Sequence, residues 1–523
     1  MRKIIRRRLL LLITMGLVLI GSALLTVASC SRNTKEVASY TIADSTGDWG
    51  YPSPYAHYPR GPGYVLMSFI FETLVWKDAD GFVPQLARSW EYHADENAYV
   101  FKLQKDVHWH DGTPFTAEDV VFTFRYTKEH PYPWVDNTIV TSAQALDTYT
   151  VKLFLSRPYA PFLNDVVGTQ PIMPKHIWEG VDQPGQFLGA EAVIGTGPYT
   201  LADYNKGHGT YLFKAFDHYY LGKPAVGEIR FVKMSAEMIP AALRGGSAQA
   251  ASIPPEVVPA LKEAGLTVIT APVSWNAKMS INHTKAPLSS TQFRHALAYA
   301  IDRDALVQIT QRGYAVAGNP GMVPPTSDWY NPKVPQYRYN PAQTEQLLEG
   351  LGYTREGAYF SKAGQELRLG LIATGQFKEV GLFIMKQLEA AGIGIDFKTL
   401  EAKTVDAKVA AWDFDLSIYG HGGLYEPSFL NKAITGQGFF SARYDSNEEL
   451  NRLLKAQLTE MDSDKRKRLV FEIQELYAED LPALTLYYPK WYWGHDGTVD
   501  LYFTKDGIAV GVPIPLNRMV FVK

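Results

Sequence analysis

The chain has 523 residues, enough for about three domain-sized units, and its 46% hydrophobic and 20% charged side chains fit a globular protein and exclude a disordered one. Net charge is −3; the first 29 residues hold Arg2, Lys3, Arg6, Arg7 and Arg8 and no acid, so without them it drops by five to −8, which argues against nucleic acid as a partner. A single cysteine excludes an internal disulfide framework, a thiolate zinc cluster and an iron–sulfur site.

The N-terminus is a basic segment followed by the apolar stretch Leu9 to Val27 and then Ala28-Ser29-Cys30. That order is an export signal. The stretch is long enough to span a bilayer as an uncleaved anchor, and Arg6-Arg7-Arg8-Leu9-Leu10 loosely fits a twin-arginine signal. Small residues directly before the one cysteine favour another reading. Val27-Ala28-Ser29-Cys30 resembles the bacterial lipoprotein signal, in which the cysteine is lipidated and becomes the first mature residue. The expectation is therefore a signal peptide over 1–29, lipidation at Cys30 and a polar tether over 30–37. No second apolar run of spanning length follows, so the remainder is expected to be a soluble body tethered outside the cytoplasm.

Tyr40 to Ala43 is predicted as a strand, and a turn-rich stretch follows over Asp44 to Gly63, with the aromatics Trp49, Tyr51, Tyr55, Tyr58 and, just beyond, Tyr64. Val65 to Leu74 is predicted as a helix. Alternation at Tyr99 to Leu103 and Thr150 to Phe154 predicts strands. Thr116 with Asp119 three residues later forms an acidic capping box ahead of Val120-Val121-Phe122. Apolar residues at helical intervals predict a single helix over Phe293 to Gln311, and another over Ala342 to Leu351, ended by Gly352. Val380 to Ala391 is expected to be a helix, followed by a turn and a strand to Phe397. Asn447 to Leu481 is expected to hold two helices before Pro482, with a strand over Leu484 to Tyr488. Helices and strands mix throughout, so the class is α/β or α+β.

No Gly-x-Ser-x-Gly elbow, phosphate loop or His-Glu-x-x-His helix is present in the sequence. Gly195-Thr196-Gly197-Pro198 lacks the third glycine of a dinucleotide fingerprint. His108 and His110 flank Trp109 in a predicted strand, which would put both imidazoles on one face; hydrogen-bonded strand-end histidines are favoured over a metal pair. Glu118/Asp119 and Glu448/Glu449 sit where a helix dipole favours acids, so capping accounts for them better than acid–base chemistry. No catalytic residue, metal ligand or cofactor site is assigned.

A family becomes visible at Pro84-Gln85-Leu86-Ala87-Arg88-Ser89-Trp90 and at Val107-His108-Trp109-His110-Asp111-Gly112-Thr113-Pro114-Phe115-Thr116-Ala117-Glu118-Asp119-Val120. It continues through Gly195-Thr196-Gly197-Pro198-Tyr199, Tyr219 to Pro224, Arg294 to Arg303, and Tyr339-Asn340-Pro341 leading to Gly352-Tyr353. These ordered stretches resemble the extracellular solute-binding proteins, family 5, that serve oligopeptide, dipeptide and nickel ABC importers. The resemblance implies a mixed α/β, two-lobed periplasmic-binding-protein-like fold, type II-like, with an extra subdomain in lobe I. Carried onto this chain, the lobe I core takes 38–75, 192–272 and 492–523, the extra subdomain 76–191 and lobe II 273–491.

The resemblance further implies a non-catalytic receptor that closes on a solute and passes it to ABC permease subunits. The partners are then a peptide or other small solute, the permease, and a membrane reached through the lipid anchor; the receptor is expected to be a monomer. A metal chelate or an oligosaccharide is the same-fold alternative, and an exported hydrolase the alternative from another class. The stretch Asp413 to Pro427 is expected to face the ligand, because relatives carry there an acid before proline that can pair with a peptide's amino terminus. Here His421 stands where tryptophan is common and Glu426 where aspartate is common. Glu426 is thus either an amine anchor or a structural acid. Near the hinge, relatives often end Gly-x-x-Asp where this chain has Gly246-Ser247-Ala248-Gln249. The candidate wall residues are Tyr419, His421, Tyr425, Glu426 and Trp491, with Trp49 and Tyr51 opposite; core packing is the competing role for each aromatic.

Overall fold

The computed structural model describes residues 36–438 and 440–522. The segment 1–29, Cys30 and most of the tether lie outside the described residues, and the lipoprotein expectation with them.

Of five sheets among the described residues, the three largest organise the fold. The first has seven strands, in the order Thr267–Thr270, Tyr492–His495, Ala250–Ile253, Val37–Asp44, Val226–Lys233, Thr210–Ala215, Tyr199–Asn205. Val37–Asp44 runs parallel to both its neighbours, and from Tyr40 to Ala43 it contributes buried side chains to both faces. Tyr40 and Ile42 enter the larger core, while Ala43 packs in a second cluster with Leu243 and Leu261. Period-two alternation of a central strand produces this split.

A four-stranded antiparallel sheet (Ala87–His93, Ala98–Leu103, Thr150–Leu155, Val140–Asp147) lies under the helix Ala117–Glu129. The expected capping box starts that helix: the Thr116 N–H donates to Asp119 Oδ2 at 2.9 Å. The third sheet has six strands and gathers Ala315–Ala317, Ala483–Pro489, Asn276–Ile281, Leu416–His421, Arg368–Thr374 and Gly394–Leu400. It forms the core of the second lobe, packed on the helices Thr291–Tyr299 and Lys378–Ala390.

The chain crosses between the first and third sheets twice, at 271–275 and at 490–491, and the Ala271 N–H donates to the Trp491 carbonyl at 2.8 Å, tying the crossings together. Away from the crossings the lobes touch. The Ala160 N–H donates to the Leu458 carbonyl at 2.8 Å, Lys505 pairs with Asp328 at 3.3 Å and Arg312 with Glu256 at 3.2 Å.

Three local expectations change. The predicted helix over Val65 to Leu74 is the helix Gly61–Ser68, which ends in a turn at Phe69 and Ile70 before the strand Val75–Lys77. The carbonyls of Phe69 and Ile70 instead accept from the N–H groups of Tyr199 at 3.1 Å and Gly197 at 2.7 Å. A Cβ at Gly195 or Gly197 would strike that backbone, so Gly195-Thr196-Gly197-Pro198 is a docking strip for a neighbouring segment. The predicted helix Phe293 to Gln311 is two, Thr291–Tyr299 and Arg303–Thr310, because Asp302 caps the second by accepting from the Ala305 N–H at 2.9 Å. His108-Trp109-His110 forms no regular strand. Trp109 is buried; His110 Nδ1 accepts from the Gly195 N–H at 3.3 Å and Nε2 donates to the Gly197 carbonyl at 2.9 Å. Both His110 nitrogens are therefore spent on backbone, and burial pushes its pKa down to about 4.

Candidate functional site

Between the lobes lies a cavity of about 910 Å³, lined by residues of the first sheet, the extra subdomain, the second lobe and the C-terminal loops. That volume is at the upper end of small-molecule sites, which run to about 1,000 Å³.

Tryptophans from four places in the sequence form much of its wall. Trp49 is held from below, its Nε1 donating to Asp44 Oδ2 at 2.6 Å and its N–H to the Tyr211 hydroxyl at 2.7 Å. Asp44 also accepts from the Thr46 and Gly47 N–H groups, so this acid is spent on shaping its own loop. Trp491 and Trp493 both line the cavity, while Tyr492 between them packs in the Leu243 and Leu261 cluster. Trp275 stands 6.4 Å from both Trp491 and Phe377, ring centre to ring centre. It fits because residue 420 is glycine; a Cβ there would overlap its ring. Gly423, in the left-handed region at φ 88°, leaves room for Phe429, whose ring lies 2.7 Å from where its Cβ would be.

Charges of both signs reach the same space. Glu426 accepts from the Arg466 guanidinium and from the Ser428 N–H at 3.2 Å. Arg466 is itself fixed by the Gln457 carbonyl at 2.9 Å and lies 5.3 Å over Trp329. Burial pushes the Glu426 carboxyl up; Arg466 pulls it back and the negative charge of Asp165 raises it further. Asp165 lines the cavity from the first lobe and accepts from the Tyr159 hydroxyl and from Asn164 Nδ2, each at 2.8 Å. Beside it the buried Lys77 donates to Asn164 Oδ1 at 2.8 Å and to the Asp506 carbonyl at 3.2 Å, with its pKa lowered to about 8 by burial. Arg60 and Lys432 are exposed wall residues, and neither has an ion-pair partner among the described residues.

Of the residues named from sequence, Trp49, Glu426 and Trp491 line this cavity; Tyr51, Tyr419, His421 and Tyr425 are not among its lining residues. The Tyr51 hydroxyl donates to the Gly189 carbonyl at 2.7 Å, and its ring meets Tyr204 edge-on. Tyr419 and His421 share one face of the strand Leu416–His421, whereas the wall is formed by the turn that follows, at Gly422 and Gly423. His421 is packed against Phe429 and Phe440, and burial holds its imidazole neutral. Tyr425 is buried and donates to the Pro272 carbonyl at 2.9 Å, bracing a crossing between the lobes. In place of an acid near the hinge, Gln249 pairs with Thr41, whose N–H it accepts at 2.8 Å.

Sequence reasoning missed Trp134, Trp275, Trp493, Arg60, Asp165 and Lys432, all of which line the cavity. Trp493 carried a usable signal, since period-two spacing from Trp491 puts both on one face. The others are brought in by long-range packing alone.

Comparison with known proteins agrees with this architecture. The family described as bacterial extracellular solute-binding proteins, family 5 Middle, matches residues 81–435. The chain is similar to the dipeptide-binding protein of Escherichia coli (strain K12), 30% identical over 295 residues, covering 52% of this chain and 55% of that protein, so the match spans about half of that relative. It is also similar to the di/tripeptide-binding protein 2 of Pseudomonas aeruginosa (strain UCBPP-PA14), 25% identical over 443 residues, 78% of this chain and 81% of that one. Among solved structures, the oligopeptide-binding protein AppA from Bacillus subtilis in complex with a nonapeptide superposes with a TM-score of 0.73 at 20% identity, over 92% of this chain and 99% of that one, a likeness of fold. With a family match over more than half its length and the two-lobed fold around a central cavity, the chain belongs to the bacterial extracellular solute-binding proteins of family 5.

Proposed function

We propose that this protein is the extracytoplasmic receptor of an ABC importer, closing on an oligopeptide or dipeptide and delivering it to the permease. One observation carries the reading: the interlobe cavity of about 910 Å³ combines aromatic walls with Arg60 and Lys432 on one side of the charge balance and Asp165 on the other. Zwitterionic peptides present both charges and a backbone, and relatives named for peptide binding support the class. Trp49, Glu426 and Trp491 are the proposed wall residues from the sequence reading, joined by Trp275 and Trp493.

The lobes correspond to 38–75, 192–272 and 492–523 for the first core, with the subdomain 76–191, and 273–491 for the second; the crossings act as the hinge. Ligand that touches both lobes only when they are shut biases the hinge toward closure. Lipidation at Cys30 would hold a monomeric body at the membrane surface, and Cys30→Ser would release it. No helix among the described residues is long and apolar enough to cross a membrane.

Thermal unfolding against peptides of two to nine residues, nickel chelates and oligosaccharides tests the ligand class. Saturation at a hundred times Kd is expected to add about 2.7 kcal/mol of stability. A shift confined to chelates or sugars overturns the peptide reading, and cleavage of the incubated peptides overturns the receptor reading.

A further inference from the structure

Two carboxylates face the cavity from opposite lobes, Asp165 from the first and Glu426 from the second, with Lys77 and Asp506 of the first lobe and Arg466 of the second close behind them. Lys77 feels Asp506, Glu426 and Asp165 together, and Glu426 in turn feels Arg466 and Asp165. Three acids thus face two bases. Glu426 is the better compensated of the acids, because Arg466 is bonded to it with only 7% of the arginine side chain exposed, although the charge of Asp165 still acts on it. Lys77 directs its ammonium to Asn164 and to the Asp506 backbone. Asp165 has only neutral donors, the Tyr159 hydroxyl and the Asn164 amide, and no cation within 4 Å among the described residues. It nevertheless lines the cavity, from the lobe opposite Glu426.

We propose that Asp165 receives the positively charged group of the bound solute, and that its repulsion from Glu426 across the cleft makes closure conditional on that charge. With the cavity empty, closing the lobes brings two carboxylates together in a space from which water is being removed, which opposes closure. An ammonium bound at Asp165 converts that repulsion into attraction from both lobes. The amine is then recognised by the first lobe, and Glu426 with Arg466 senses its arrival from the second. This assignment rests on the peptide reading above.

The test compares wild type, Asp165→Asn and Asp165→Ala by calorimetry with free and N-acetylated forms of the same alanine peptides, two to five residues long. Circular dichroism thermal scans and small-angle scattering of each unliganded protein accompany it. Free peptides are expected to lose roughly tenfold or more in affinity on either substitution, while acetylated peptides bind the wild type weakly and change little. Unliganded Asp165→Asn is expected to melt no lower than wild type and to scatter as a more compact particle, since a repulsion has been removed. Free peptides binding all three proteins alike would overturn the assignment to Asp165 and leave the peptide reading standing. If no alanine peptide binds the wild type, both fall together. Unliganded variants that melt well below wild type, with free and acetylated peptides weakened equally, would make Asp165 a structural residue and overturn the proposal.

Discussion

Arg466 holds Glu426 against the cavity wall with 7% of its own side chain and 17% of the glutamate's exposed. Removing one member of such a pair leaves the other charge buried without compensation. Glu426→Gln is therefore expected to lower the free energy of unfolding by about 3 kcal/mol in denaturant titrations, an effect that an exposed ligand-binding acid would not show. His110 gives a second residue-level expectation. Burial lowers its pKa to about 4 from an ordinary value of 6.5, so between those pH values the unfolded chain takes up a proton that the folded one refuses. Stability falls as pH drops through that window. His110→Gln keeps an acceptor for Gly195 and a donor for Gly197, and should flatten the decline by about 1 kcal/mol per pH unit. A stability–pH profile from 7 to 4 that is identical in both proteins would contradict this account.

The strand Leu416–His421 and the turn after it carry the second lobe's share of the wall. Register fixes which side chains point where: Asn276 faces His421, Lys278 faces Tyr419 and Ser280 faces Ser417, a polar row on the side opposite the apolar core of this lobe. Lys278 in that row is fully buried, and burial lowers its pKa to about 7. Its ammonium donates to the Phe440 carbonyl, and the Phe440 ring in turn packs 5.4 Å from Phe429 in the cavity wall. Glycine at 420 lets Trp275 lie flat over this strand. Gly420→Ala should push the Trp275 ring out of the wall while the sheet still forms. Intrinsic tryptophan fluorescence is expected to shift, and peptide affinity to fall by tenfold or more, with secondary structure unchanged by circular dichroism.

Closure of the whole molecule is held by few polar contacts. Lys505–Asp328 and Arg312–Glu256 are exposed pairs between lobes, worth about 0–1 kcal/mol each. Lys505→Ala with Arg312→Ala is thus expected to weaken ligand by no more than about tenfold, with the loss shrinking as salt is raised, because these pairs act only on the hinge equilibrium. The melting temperature without ligand should barely move. A loss of a hundredfold, or one insensitive to salt, would mean that the latches do more than bias a hinge.

Most local elements, and the family, were legible in residue spacing and motifs. Alternation gave the strands at 98–103 and 150–155, the capping box at Thr116 started a helix where expected, and ordered motifs along the chain carried the resemblance. These follow from interactions within a few residues, which spacing records directly. Even the break at Asp302 was written locally, in a capping acid that the apolar period concealed. Which polar and aromatic side chains are spent on packing and which face the cavity was settled by long-range assembly. Glu426 meets an arginine 40 positions on, Tyr425 braces a crossing, and Asp165 reaches the cavity from a separate sheet's neighbourhood. No periodicity encodes such pairings, because a side chain's charge partner and exposure are set by segments that meet only when the lobes assemble.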